Sequence, residues 1–322
     1  MIVEPPARRL VSPQTAMEQG CDCTCVEQTP VRRDGLGGRH PRHDINRHRV
    51  RAQEAQLEHD TVTSKDGTRI AFDRSGEGPA LILVGGALSE RSAWAPVAKL
   101  LAPRFSVISS DRRGRGDSED TAPYAVEREV EDLEALMDEV GGVAFVHGQS
   151  SGAVLALEAT AKLSGKVQKL SLYEPPFIID DSRPPPPAGF AARIDELLAA
   201  DRRGEAVEYW MSDVVGAPAE AVTEMRSAPS WPALEAVAHT LPYDIAVLGE
   251  NMPGNPLPMD KWASITAPVL VMDGGASPDW IRNSARTLAE ALPNAQHGTL
   301  DGQQHNAAPD ILAPALTQFF LG

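Results

Sequence analysis

Short apolar runs alternate with helical segments along residues 57–322, and this alternation most constrains the fold. Ala80-Leu81-Ile82-Leu83-Val84 is a continuous apolar run of strand length, the pattern of a strand buried on both faces. Ser106–Ser110, Val143–Val146, Lys169–Tyr173 and Pro268–Met272 follow with similar character, and a shorter run lies near 296–300. Helical patterning fills the intervals near 92–102, 125–140, 152–164 and 279–292, and again at 309–321. Upstream, Glu58–Thr63 and Thr68–Phe72 read as two strands around Lys65-Asp66-Gly67, a hairpin turn signal. The expectation is an α/β chain: a mainly parallel sheet with helices on both faces.

One interval breaks the alternation. About 90 residues separate Tyr173 from Pro268, with helical patterning at 191–200, 205–214, 219–225 and 234–239. Pro184-Pro185-Pro186-Pro187 stands near its start. A structureless loop of that length does not suit a compact domain. The reading is a helical lid, at about 177–262, inserted after the sixth strand and sitting over the carboxyl ends of the sheet.

Residues 1–56 are of another kind. They are rich in Arg, His, Pro, Gly and Gln, and show no sustained apolar period. Such a stretch buries too little apolar surface to offset the entropy of ordering it, so it reads as a disordered tail ahead of a domain at 57–322. The whole chain holds 30 basic and 45 acidic residues, a net charge of -15. Residues 1–60 hold 9 Arg and 9 Asp plus Glu, so the entire excess falls on residues 61–322. That balance argues against nucleic acid or an anionic membrane as partner, since both need a basic footprint. It points instead to a small, uncharged substrate. No apolar run approaches the roughly 18–20 residues that span a bilayer, and no secretory signal is visible, so the expected location is the cytoplasm. All three cysteines lie in Cys21-Asp22-Cys23-Thr24-Cys25, with His40, His43 and His48 downstream. That spacing matches no standard zinc site, and no metal is expected. No G-x-G-x-x-G or P-loop stands in the right context, so no cofactor is expected. The oligomeric state is not readable.

Gly148-Gln149-Ser150-Ser151-Gly152 follows the strand at 143–146 and opens the helix after it. This is the G-x-S-x-G pattern in its strand–turn–helix context. The glycines permit a tight turn that lifts the Ser150 hydroxyl clear of the backbone. The Ser151 amide, at a helix N-terminus, then points at an oxyanion. A structural turn is the bland alternative.

With these residues in view, the chain resembles lid-bearing enzymes of the α/β-hydrolase fold over residues 57–322. Val84-Gly85-Gly86-Ala87 followed by Trp94 is similar to the family's His-Gly loop, with Gly85 where His is usual. By that resemblance the Ala87 amide is the second oxyanion donor. Asp111-Arg112-Arg113-Gly114-Arg115-Gly116-Asp117-Ser118 resembles the family's D-x-R-G-x-G-x-S loop, for which a structural role is the preferred reading. His305 lies between the last strand and the last helix, where the family carries its catalytic His. His147 is expected to be a buried structural residue, His239 to lie in the lid and His297 to face outward.

The acid departs from the common pattern. The family usually places an Asp after the seventh strand, and here Gly274-Gly275-Ala276-Ser277 puts Ser at that position. Some members, including zearalenone-type lactonases, carry a Glu after the sixth strand instead, about two dozen residues beyond the nucleophile. Glu174 stands 24 residues after Ser150 in Leu172-Tyr173-Glu174-Pro175-Pro176. A carboxylate at an apolar strand end is costly to bury unless paired, and a catalytic His is such a partner. Glu174 is therefore the expected acid, with Asp279 and then Asp273 as alternatives.

The constellation implies a serine hydrolase for a carboxylic ester or lactone of a small, mostly apolar substrate. Other chemistry on the same site (perhydrolysis, C–C hydrolysis or a lyase reaction) and a non-catalytic ligand-binding role are the alternatives. In the lid, Trp210, Met211, Trp231 and Met252 are candidate pocket residues, against the more ordinary reading of lid core.

Overall fold

The computed structural model describes residues 58–249, 252 and 254–322. The tail expected over residues 1–56, with its cysteine cluster, lies outside the described residues. Eight strands form one sheet in the order β1-β2-β4-β3-β5-β6-β7-β8. They are β1 (Glu58–Thr63), β2 (Arg69–Ser75), β3 (Ala80–Val84), β4 (Ser106–Ser110), β5 (Ala144–Gln149), β6 (Val167–Tyr173), β7 (Val269–Gly274) and β8 (Ala295–Leu300). The pairs β1–β2 and β2–β4 are antiparallel, and every other pair is parallel. β2 runs on to Ser75, past the Phe72 expected from sequence, because Phe72–Ser75 pair with β4 on their second edge.

The strand pleat sorts side chains between two cores. Leu81 and Leu83 of β3 face one layer with Phe145 and Leu270, under α1 (Ala95–Leu101) and α11 (Pro309–Leu321). Ile82 and Val84 face the other with Val146, Leu172 and Val271, under α2 (Val126–Glu139), α3 (Ser151–Lys162) and α10 (Asp279–Ala291). The central strands are apolar on both sides for this reason.

Between β6 and β7 the chain forms α4 (Phe190–Ala199), α5 (Arg203–Tyr209), α6 (Ala219–Ser227), α7 (Trp231–Val237), α8 (Leu241–Leu248) and the short α9 (Met259–Trp262). α5 continues into a π-helical turn, Trp210–Val215, closed by Gly216 at φ 79. Helix α8 escaped the sequence reading. Pro242 interrupts the apolar period but sits in the first turn, where its missing N–H has no partner to lose. Leu241, Asp244, Val247 and Leu248 form its buried face.

Candidate active site

Ser150 stands at the turn from β5 into α3, with φ 57 and ψ -128, a backbone conformation sparsely populated by non-glycine residues. Its amide donates to Tyr173 O at 2.9 Å, which ties the turn to the end of β6. Close packing explains the flanking glycines. A Cβ on Gly148 would lie 2.4 Å from Gly152 O, and one on Gly152 would lie 2.4 Å from Val84 O. Gly86 is bare for the same reason: its Cβ would stand 2.8 Å from the Ser150 Cβ.

Glu174 follows β6 with φ 49 and is fully buried. Its Oε2 lies 2.6 Å from His305 Nδ1. Its Oε1 accepts from the Gly274 amide at 2.9 Å and from the Ser277 hydroxyl at 2.5 Å. Burial raises the carboxyl's pKa, but the bonds from His305, Ser277 and Gly274 outweigh it and hold the pKa below the ordinary glutamate value. The loop bearing His305 is held by two further bonds. Gln149 Nε2 donates to His305 O, and Tyr173 OH donates to Gln304 O, both at 2.6 Å.

The two alternative acids are placed otherwise. Asp273 lies 2.6 Å from His297 Nε2 on the neighbouring strand, and Asp279 is an exposed first residue of α10. His147 is fully buried, its Nδ1 3.1 Å from Ser171 Oγ and its ring edge-on to Trp94, and burial lowers its pKa to about 3. It is therefore neutral at pH 7. His239 is exposed.

A buried ionic cluster lies beneath Gly86 and Ser151. Asp244 of α8 accepts from Arg112 Nη1 at 2.6 Å, Arg115 Nη2 at 2.7 Å and Ser151 Oγ at 2.7 Å. Arg112 also grips Glu129 of α2 through two 2.6 Å bonds, and Arg115 Nη1 donates to Gly86 O at 2.6 Å. Two cations thus meet two anions, which offsets the cost of burying them. Burial raises the Asp244 pKa, but Arg115 and Arg112 outweigh it and hold the carboxyl below its ordinary range. The sequence marks the arginine loop. Asp244 carried no local signal, because its partners lie about 130 positions away.

A cavity of about 760 Å³ joins these parts. Ala87, Ser150, Ser151, Glu174, Ser277 and His305 all line it. The insert contributes Trp210, Met211 and Met252, so three of the four candidate pocket residues stand on its wall. Trp231 does not. It packs with Val207 and Ala238 inside the insert, and its Nε1 donates to Glu235 at 2.8 Å. Trp280 of α10 lines the cavity instead. Helical spacing marked Trp231 as an inward residue but not whether inward meant insert core or cavity. Among the described residues no group of three or more His, Cys, Asp or Glu could hold a metal, and no helix is long and apolar enough to cross a membrane.

The mainly parallel eight-stranded sheet, with a serine turn between its fifth strand and the following helix, defines an α/β-hydrolase fold. The chain belongs to the alpha/beta hydrolase family, whose sequence model matches residues 81–314. It is 57% identical to an alpha/beta hydrolase of known structure from Sphaerobacter thermophilus DSM 20745, with a TM-score of 0.77, covering 81% of this chain and 100% of that one. A hydrolase from Pseudomonas aeruginosa PA01 shares the fold at 22% identity and a TM-score of 0.64, covering 82% and 99% of the two chains. The uncharacterized hydrolase YraK of Bacillus subtilis (strain 168) is 31% identical over 113 residues, 34% of this chain. That match spans only 42% of YraK.

Proposed function

We propose that the protein is a serine hydrolase that cleaves a carboxylic ester or lactone through an acyl-enzyme. The observation that carries the reading is the 2.6 Å contact between buried Glu174 and His305 in the cavity that Ser150 also lines. A serine hydroxyl is a weak nucleophile without a base. Glu174 engages His305 Nδ1, which leaves Nε2 as the basic nitrogen. His305 takes the Ser150 proton as Oγ attacks the carbonyl carbon, and the Glu174 carboxylate stabilises the resulting imidazolium. The amides of Ala87 and Ser151 receive the oxyanion, the second aided by the N-terminus of α3. The imidazolium then protonates the leaving alkoxide. A water attacks the acyl-enzyme, gives its proton to His305 and releases the acid. The insert serves as the lid, with Trp210, Met211 and Met252 contacting the apolar part of the substrate.

A fluorophosphonate probe tests the nucleophile, with a panel of p-nitrophenyl esters of graded chain length and lactones to identify the acyl group and substrate class. Labelling confined to Ser150, and loss of turnover by about 10³-fold or more in Ser150→Ala, is the expected result. Full turnover by Ser150→Ala would overturn the reading. An unreactive Ser150 in a protein that binds esters unchanged would favour the ligand-binding alternative.

A further inference from the structure

Arg183, in the segment between β6 and α4, lines the same cavity as Ser150. It is half-buried, and among the described residues it has no carboxylate partner. Every other described arginine that is not exposed has one within 4 Å: Arg91, Arg112, Arg113, Arg115, Arg128 and Arg282. Burial alone lowers the Arg183 pKa, with no anion acting against it. Its guanidinium lies 4.5 Å over the Trp280 ring, and three of its N–H groups donate to Pro184 O, Val215 O and Val214 O. A guanidinium has five such donors, so two remain for a ligand. The cavity wall includes one carboxylate, Glu174, whose oxygens are already engaged by His305, Ser277 and the Gly274 amide. The pocket therefore presents a pre-oriented cation without a counterion, although the chain as a whole is acidic.

We propose that Arg183 receives a carboxylate on the substrate, so that the ester or lactone cleaved is an acid-bearing one. This rests on the hydrolase reading and revises the uncharged substrate expected from net charge. Net charge acts at long range and is screened within about 10 Å, whereas Arg183 acts inside the cavity. A planar fork fixed on an indole matches a planar carboxylate, which a mobile lysine would hold less well.

The test compares two p-nitrophenyl esters of equal chain length, the hexanoate and the mono-adipate, whose far end is a carboxylate. In the wild-type protein kcat/KM should favour the mono-adipate. Arg183→Met should lower that preference at least about tenfold, chiefly through KM, and Arg183→Lys should lower it less. A wild-type preference for the hexanoate, or a preference that Arg183→Met leaves unchanged, would show that Arg183 only ties its segment to the π-helical turn. Should Arg183→Met fail to fold, Arg183→Lys against the wild type carries the comparison. If neither ester is hydrolysed, fluorophosphonate labelling of Ser150 decides the hydrolase reading, and calorimetric titration with adipate judges the anion site by itself. Binding weakened in the variant supports it, and binding absent or unaltered overturns it.

Discussion

Replacing Glu174 tests the site most directly. Its carboxylate is fully buried and lies 2.6 Å from His305 Nδ1. When His305 gains a proton, two opposite charges stand roughly 4 Å apart, worth about 4 kcal/mol at an effective dielectric constant of about 20. Glu174→Gln removes the anion and keeps the shape, so kcat/KM on a p-nitrophenyl ester should fall by about 10³-fold. Asp273→Asn and Asp279→Asn should cost less than about fivefold each, since neither residue meets His305. Ser277 permits a sharper version. Its hydroxyl is 2.5 Å from Glu174 Oε1, so an aspartyl side chain there would reach into the space a shortened residue 174 vacates. Glu174→Gly suits the φ of 49 and should be nearly inactive alone. The pair Glu174→Gly with Ser277→Asp should recover at least about tenfold, or 1.4 kcal/mol of transition-state stabilisation. Less than a fivefold loss in Glu174→Gln, or an equal loss in Asp279→Asn, would refute the assignment.

Other outcomes follow from packing and charge. Asp244→Asn leaves two buried guanidiniums facing Glu129 alone and should destabilise by about 3–5 kcal/mol, seen as a lower thermal midpoint. An unchanged midpoint would show that water compensates. Gly86→Ala places a methyl 2.8 Å from the Ser150 Cβ and should depress kcat by roughly tenfold or more while circular dichroism stays native. Stability should fall on acidification. Glu174, Glu129 and Asp244 have folded pKa values below their ordinary ones, so their contribution is full above the ordinary carboxylate range and is lost as pH drops through the folded values. His147 adds the same sign between pH 6.5 and about 3, because the unfolded ring binds a proton that the buried one refuses. A urea midpoint that stays flat from pH 7 to pH 4 would contradict this.

Much of the fold is legible in the sequence because its signals are local. The run Ala80–Val84 and the turn at Gly148–Gly152 each carry their own period or residue pattern, and the sheet is built on them. Pairings across the chain are not local. Nothing near Ser277 shows that its hydroxyl meets Glu174, 103 positions away, or that Gln149 holds the His305 loop. Trp280 illustrates the same limit within one helix. Its exposure to the cavity depends on how α10 is rotated against a segment carrying Arg183, which no amphipathic period encodes. Helix α8 is hidden because Pro242 and Asp244 interrupt its apolar period, although one sits in the first turn and the other is buried against two arginines.

The contact of Asp244 with Arg112, Arg115 and Ser151 bears on how such an enzyme can change over generations. The insert looks modular along the chain, since it enters after one strand and leaves before the next. Physically it is not a cassette. An insert exchanged for one lacking an acid at this point would strip Arg115 of its carboxylate, leave Arg112 with Glu129 alone and loosen the Gly86 carbonyl that Arg115 holds. Replacements on the cavity wall leave this contact in place. Wholesale recombination requires a second carboxylate to arrive with the graft.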